Sequence, residues 1–195
     1  MEIRLARSDD APTLARHIAM AESEMIQFFT GANDPEAAKS VLEAWIQSPT
    51  PCRFSAEFGL IVEVDGQPVG SAISFPADRQ PELDAVLLEA LRCRGRSLPR
   101  LSFEGEPGTY YLYVMGVDFA FRGRGIGTAL MAAAEERGRQ LGFSHASMLV
   151  TQDQERAQAF YERQGYAAVA DVSIGGVAYR RMVKTLRSME KKKTT

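Results

Sequence analysis

The chain of 195 residues is 45% hydrophobic and 25% charged, with sixteen glycines and nine prolines, a globular make-up that excludes a disordered, collagen-like or coiled-coil chain. Twenty-three basic residues against 25 acidic ones leave a net charge of −2, without the basic excess of a general nucleic-acid binder, although one local pocket can still favour an anion. Cys52 and Cys93 have no CxxC or Cys/His cluster beside them, which argues against a metal site and fits two free thiols in a reducing cytoplasm.

The chain is charged from its second residue and opens without an apolar run, so a signal peptide is not expected. Its longest apolar stretches, such as Ala85 to Leu88, are far short of the ~20 residues that span a bilayer. The expected state is soluble and cytoplasmic, with no membrane partner. Glu2 to Ala6 alternates as a strand. Ser8 to Pro12 supplies cap residues and an early proline, and Leu14, Ile18, Ala21 and Met25 then recur at helical spacing, which predicts one amphipathic helix over 11–29. Pro35 opens a second helix carrying Ala38, Val41, Leu42 and Trp45, and Pro49 and Pro51 close it. Residues 59–64 and 69–75 flank Asp65-Gly66 as a hairpin. Residues 76–108 read as an insertion with helical spacing at Leu83, Val86, Leu87 and Leu91, a long connection more often functional or mobile than structural.

Residues 109–117 form a dense β run, whose alternation puts Tyr111, Tyr113, Met115 and Val117 on one side. It leads into Arg122-Gly123-Arg124-Gly125-Ile126-Gly127-Thr128 and a helix that Gly142 closes. A strand over 145–150, a helix over 154–164 closed by Gly165, and a hairpin across Gly175-Gly176 complete the chain, and the lysine-bearing tail 188–195 is expected to be disordered. The order β-α-α-β-β-insert-β-α-β-α-β-β is an α/β chain with a mixed sheet.

The glycine-rich turn lies between a strand and a helix. Glycines let the backbone turn tightly and approach a ligand, and successive N–H groups at a helix N-terminus cradle an anion such as a diphosphate. The segment lacks the lysine of a phosphate-binding GxxxxGK[ST] loop, and its GxGxG spacing is not the GxGxxG of a dinucleotide site. A bare strand-to-helix turn and a nucleotide fold remain the other readings. The spacing [RQ]xxGx[GA] fits at Arg122, Gly125 and Gly127, and Ala157-x-x-Phe160-Tyr161-Glu162-x-x-Gly165-Tyr166 follows.

These two segments, in this element order, resemble the GNAT superfamily of N-acetyltransferases. The resemblance implies a mostly antiparallel mixed sheet of about seven strands, flanked by helices and splayed between the fourth and fifth. It implies one acetyltransferase domain over 1–187 and acetyl-CoA as cosubstrate. The diphosphate would lie on Arg122, Gly123, Arg124, Gly125, Ile126, Gly127 and Thr128. The strand end Met115, Gly116 and Val117 would lie along the cofactor arm, with a Val117 or neighbouring N–H facing the oxyanion and Gly116 at the bulge that opens the strand. Tyr161 would be the general acid for the leaving thiolate, against the alternative of a core aromatic. Phe119 stands where relatives often carry proline, and Gln154 where they often carry asparagine on the pantetheine arm. Acetyl transfer would go directly to a primary amine of a small molecule or peptide, and relatives make a homodimer conceivable. The alternative is a non-catalytic acyl-CoA sensor. Glu104, Glu106 and Asp118 are candidate bases, each with surface as the competing reading. His17 and His145 show no sequence partner.

Overall fold

The computed structural model describes residues 1–96, 98 and 100–186, so the tail from 188 onward lies outside the described residues. In chain order the elements are β1 (Glu2–Leu5), α1 (Ala11–Ala21), α2 (Ser23–Thr30), α3 (Pro35–Gln47), β2 (Gly59–Val64), β3 (Gln67–Pro76), α4 (Gln80–Cys93), β4 (Tyr110–Val117), α5 (Ile126–Gln140), β5 (His145–Thr151), α6 (Glu155–Arg163), β6 (Ala167–Ile174) and β7 (Val177–Thr185). The strands form one mixed sheet in the order β1-β2-β3-β4-β5-β7-β6. All neighbours are antiparallel except β4 and β5. That parallel pair is matched only at Tyr110 with Ala146 and Tyr111 with Ser147, after which the two strands part.

Both faces of the sheet are covered. On one face α1 to α4 bury Leu14, Ile18, Ile26, Leu42, Leu83, Leu87 and Leu91 against Phe54, Ile61, Phe75 and Tyr111. On the other, α5 buries Ile126, Leu130 and Ala134 against Leu60, Val62 and Ala72. Met131, Met148, Tyr166 and Met182 continue that layer beneath α6. The β2–β3 turn has Asp65 at φ 52° and Gly66 at φ 75°, the left-handed pair that a tight hairpin needs.

Three expectations are corrected. The helix expected over 11–29 breaks at Glu22, where φ is −140° and ψ 50°. Leu14, Ile18, Ile26 and Phe29 all face the core, and at 3.6 residues per turn Glu22 would fall inside that stripe. A continuous helix would carry its carboxylate into apolar surroundings, at a cost of several kcal/mol unless paired. The break instead leaves Glu22 exposed.

Secondly, the side chains along β4 do not keep a single alternation. The pairing with β3 steps from Ser74–Leu112 to Ile73–Val114, so Tyr113 is an extra residue, a β-bulge. Tyr111 and Tyr113 therefore pack under α1 to α4, while Met115 and Val117 pack on the α5 side. The bulge is not at Gly116. That position is glycine because α1 passes over it: a Cβ would lie 2.5 Å from the His17 carbonyl oxygen.

Thirdly, residues 76–108 contribute to the core. Leu83, Leu87 and Leu91 of α4 are fully buried, and Asp84 pairs with the buried guanidinium of Arg53.

Candidate active site

The site forms where β4 and β5 separate. Asp118 N–H donates to the Val69 carbonyl on the β3 side. Backbone groups alternate direction along a strand, so Val117 and Met115 turn theirs away from β3, toward the gap. Arg122 closes the strand end by donating from Nε to the Val117 carbonyl at 3.0 Å, and its guanidinium lies over the Phe119 ring. Thus Phe119, 81% exposed, gives Arg122 an aromatic platform.

Gly123 and Gly125 have φ of 75° and 79°, and Gly125 is the N-cap of α5. Left-handed backbone costs a side-chain-bearing residue ~1–2 kcal/mol. A Cβ at either position would meet nothing within 4 Å, so open space lies in front of both. The first α5 N–H to close on an upstream carbonyl is that of Ala129, bonded to Gly125. The N–H groups of Ile126, Gly127 and Thr128 therefore lie in the helix turn that has no internal acceptor. Arg124 is exposed and stacks over Phe121, and Thr128 is also exposed. Ile126 is buried and anchors the turn to the sheet.

Met115 links this turn to α6. Its methyl would touch a Cβ at Gly127 at 3.8 Å, and it packs against both the α5 layer and the layer that holds Phe160 and Tyr161. Tyr161 is half-buried, 5.4 Å between ring centroids from Phe160 and 6.5 Å from Tyr166. Its hydroxyl has no hydrogen-bond partner among the described residues. Burial, and secondarily the charge of Glu22, push the phenol above its ordinary pKa. Tyr166 is different: its hydroxyl donates to Glu135, which also holds Lys184. Gln154 is the N-cap of α6 and lines a cavity of about 460 Å³ with Asp153, Glu155, Arg156 and Ala157. That cavity does not include the glycine turn.

The candidate bases are all engaged. Glu104 pairs with Arg53 and accepts from the Tyr111 hydroxyl. Glu106 pairs with Arg181 at 3.1 Å. Asp118 pairs with Arg16. His17, without an evident partner in the sequence, is fully buried between two: Nδ1 lies 3.2 Å from Ser71 Oγ and Nε2 3.2 Å from Asp118 Oδ1. Ser71 is itself buried, so this chain of contacts fastens α1 to β3 and to the end of β4 and presents no nucleophile. Desolvation, then the charge of Arg16, lower the His17 pKa, with Asp118 opposing.

Sequence reasoning missed Glu22. Its carboxylate has no hydrogen bond or ion pair among the described residues. Although solvent reaches it, the packed surroundings raise its pKa, and Glu104 adds to the rise. The available signal was a single carboxylate in the middle of an apolar helical stripe. No group of three or more metal-binding side chains occurs among the described residues, and no described helix is long and apolar enough to cross a membrane.

Comparison with known proteins agrees with this architecture. A mycothiol acetyltransferase from Propionibacterium freudenreichii subsp. shermanii is 39% identical over 59 residues, 30% of this chain and 19% of that protein. The chain thus aligns with about a fifth of the length of that relative. Among solved structures, an acetyltransferase superposes with a TM-score of 0.77 at 24% identity, covering 96% of this chain and all of its own. An N-acetyltransferase from Staphylococcus aureus Mu50 gives 0.78 at 19% identity, covering 94% and all of its own. Both show the same fold. The family model described as acetyltransferase (GNAT) family matches residues 18–166, most of the chain and all of β4, the glycine turn, β5 and α6, and the chain belongs to that family.

Proposed function

We propose that the protein transfers an acetyl group from acetyl-CoA directly to a primary amine, and that residues 1–187 act as one acetyltransferase domain. The observation that carries this reading is the parting of β4 and β5 beside a glycine turn with open space before Gly123 and Gly125. The residues fit the cosubstrate. The N–H groups of the turn and of the α5 start suit a diphosphate, with Arg122 and Arg124 adding positive charge. Along Met115, Gly116 and Val117 the backbone groups of Met115 and Val117 offer an unpaired strand edge to the amide-bearing arm, with Gln154 an amide at the N-terminus of α6, beyond the end of β5. An N–H at Val117 or its neighbour is available to the oxyanion.

Tyr161 is the proton donor to the departing thiolate. Its raised pKa keeps it protonated, and the missing hydrogen-bond partner leaves its hydroxyl unengaged. No cysteine competes as an acyl carrier: Cys52 is buried, and Cys93 is exposed on α4 beside Glu89. Calorimetric titration with acetyl-CoA and thiol release over an amine panel, with mass spectrometry of the products, test the reading. Saturable binding with acetylated product is expected. Absent binding overturns it, and binding without turnover of any amine assigns the fold to an acyl-CoA sensor.

A further inference from the structure

The end of β4 is a weakly supported stretch of the sheet. Its ladder with β5 stops at Tyr111, so beyond that residue β3 is its paired neighbour, and the last rungs are Ser71–Gly116 and Gly70–Val117. Two of those four residues are glycine, which weakens a strand because it has the most conformational freedom to lose and no side chain to pack. The Met115 and Val117 backbone groups that face the gap belong to this half-paired stretch.

Two consecutive residues of α1 brace it. Arg16 pairs with the Asp118 carboxylate and also donates to the Pro68 carbonyl of β3 at 3.4 Å. His17, fully buried, contacts the same Asp118 oxygen through Nε2 and Ser71 Oγ of β3 through Nδ1, each at 3.2 Å. Each side chain thus bridges β3 to the residue that follows β4, across the rungs that contain the two glycines. The His17 backbone completes the grip, since its carbonyl oxygen lies 2.5 Å from where a Gly116 Cβ would stand. A carboxylate only accepts, so Nε2 carries the ring proton and Nδ1 accepts from the Ser71 hydroxyl. Helix packing alone calls for none of this. Leu14 and Ile18 fill neighbouring buried positions of α1 with hydrocarbon, and an imidazole buried beside them carries a desolvation cost that its two partners offset.

We propose that His17 is a positioning residue for the cosubstrate: by tying Ser71 to Asp118 from α1, it holds the end of β4 where the Met115 and Val117 backbone groups meet the amide-bearing arm of coenzyme A. The inference rests on the acetyl-CoA reading above and goes beyond it, because it gives a side chain buried away from the cosubstrate a share in binding the arm. The diphosphate is outside its reach, since Ile126 anchors the glycine turn separately on the α5 side of the sheet.

Two substitutions separate the contacts of the ring. His17→Gln keeps an amide N–H at the distance of Nε2, within reach of Asp118, and so retains the hold on β4. His17→Asn keeps an acceptor at the distance of Nδ1, for Ser71, and is too short for Asp118. Each variant, with Asp118→Ala beside them, is titrated calorimetrically with coenzyme A and with 3′-phosphoadenosine diphosphate, the part of coenzyme A that ends at its diphosphate. Thermal unfolding sets a temperature at which every protein is folded. His17→Asn and Asp118→Ala are expected to bind coenzyme A about tenfold more weakly, the scale of one misaligned hydrogen bond, and the nucleotide part within about twofold of the unsubstituted chain. His17→Gln is expected to restore most of the coenzyme A affinity. Equal losses for the two probes overturn the proposal, as a general loosening of the fold would produce them. So does a coenzyme A affinity that His17→Asn and Asp118→Ala leave unchanged, or that His17→Gln lowers as much as His17→Asn. In each of these cases coenzyme A still binds the unsubstituted chain and the acetyl-CoA reading stands, whereas an unsubstituted chain that binds neither probe overturns both.

Discussion

On the proposed reading Tyr161 donates to a thiolate, which requires that the phenol enter the reaction protonated, and its surroundings favour that form. Burial and the Glu22 charge both raise its pKa, and no neighbour among the described residues holds its hydroxyl. Tyr161→Phe keeps the ring packing and is expected to lower kcat by about 10²-fold, at the low end of what a positioned acid contributes, with acetyl-CoA affinity unchanged. Steady-state kinetics beside calorimetry read both. His17 gives a second single-residue expectation, on stability. Its folded-state pKa lies below the ordinary value, so under acid conditions the unfolded chain binds a proton that the folded chain excludes. Stability contributed by the neutral imidazole is present above about pH 6.5 and is lost as the pH falls below it, at no more than ~1.4 kcal/mol per pH unit. Arg16 beside it opposes protonation and Asp118 favours it. Urea unfolding between pH 5 and 8 is expected to show this slope, and His17→Gln to flatten it. At Gly116 the constraint is steric. Gly116→Ala would drive a methyl against the α1 backbone, which cannot swing aside as a flexible side chain would, and is expected to cost about 1–3 kcal/mol.

The glycine turn and α5 divide their requirements position by position. Gly125→Ala puts a side chain in left-handed backbone and is expected to lower both stability and acetyl-CoA affinity, the former by about 1–2 kcal/mol. Gly127→Ala is the informative contrast. That residue is helical, and an added Cβ would make only an ordinary contact with Met115, so stability is expected to hold or rise by up to ~1 kcal/mol. Its affinity for acetyl-CoA is expected to fall, because a Cα–Cβ bond in a helix tilts toward the N-terminus, where the unbonded N–H groups lie. Thermal melts and titrations separate the two effects. These elements were legible in the sequence because their physics is local: a left-handed turn needs glycine, and the apolar spacing of Leu130 and Ala134 marks the buried face of α5. The break at Glu22 was not read. No glycine or proline marks it, and its cause is the burial that a continuous helix would impose. The Tyr113 bulge was equally opaque, since it exists only in the register against β3.

At the level of the whole molecule, the mixed sheet of seven strands parting between the fourth and fifth is what the family resemblance implied, whereas the strand order, with β7 between β5 and β6, was not read. The partners of its charged residues the sequence could not carry, because Arg53 finds Asp84 31 positions away and Glu104 51 away. Asp84→Ala leaves Arg53 paired with Glu104 but takes the acceptor from its buried Nε and second Nη groups, and is expected to cost about 1–3 kcal/mol, read as a lowered denaturant midpoint. Both counter-ions of Arg53 belong to the segment joining β3 to β4, and Gln80 ties that segment down again through the Ser102 carbonyl and the Glu104 N–H. The connection therefore cannot be trimmed to a short hairpin in search of a minimal enzyme. Excising it would strand a guanidinium among Phe29 and Tyr113 without either of its counter-ions. Any redesign of this connection therefore has to keep Asp84 and Glu104.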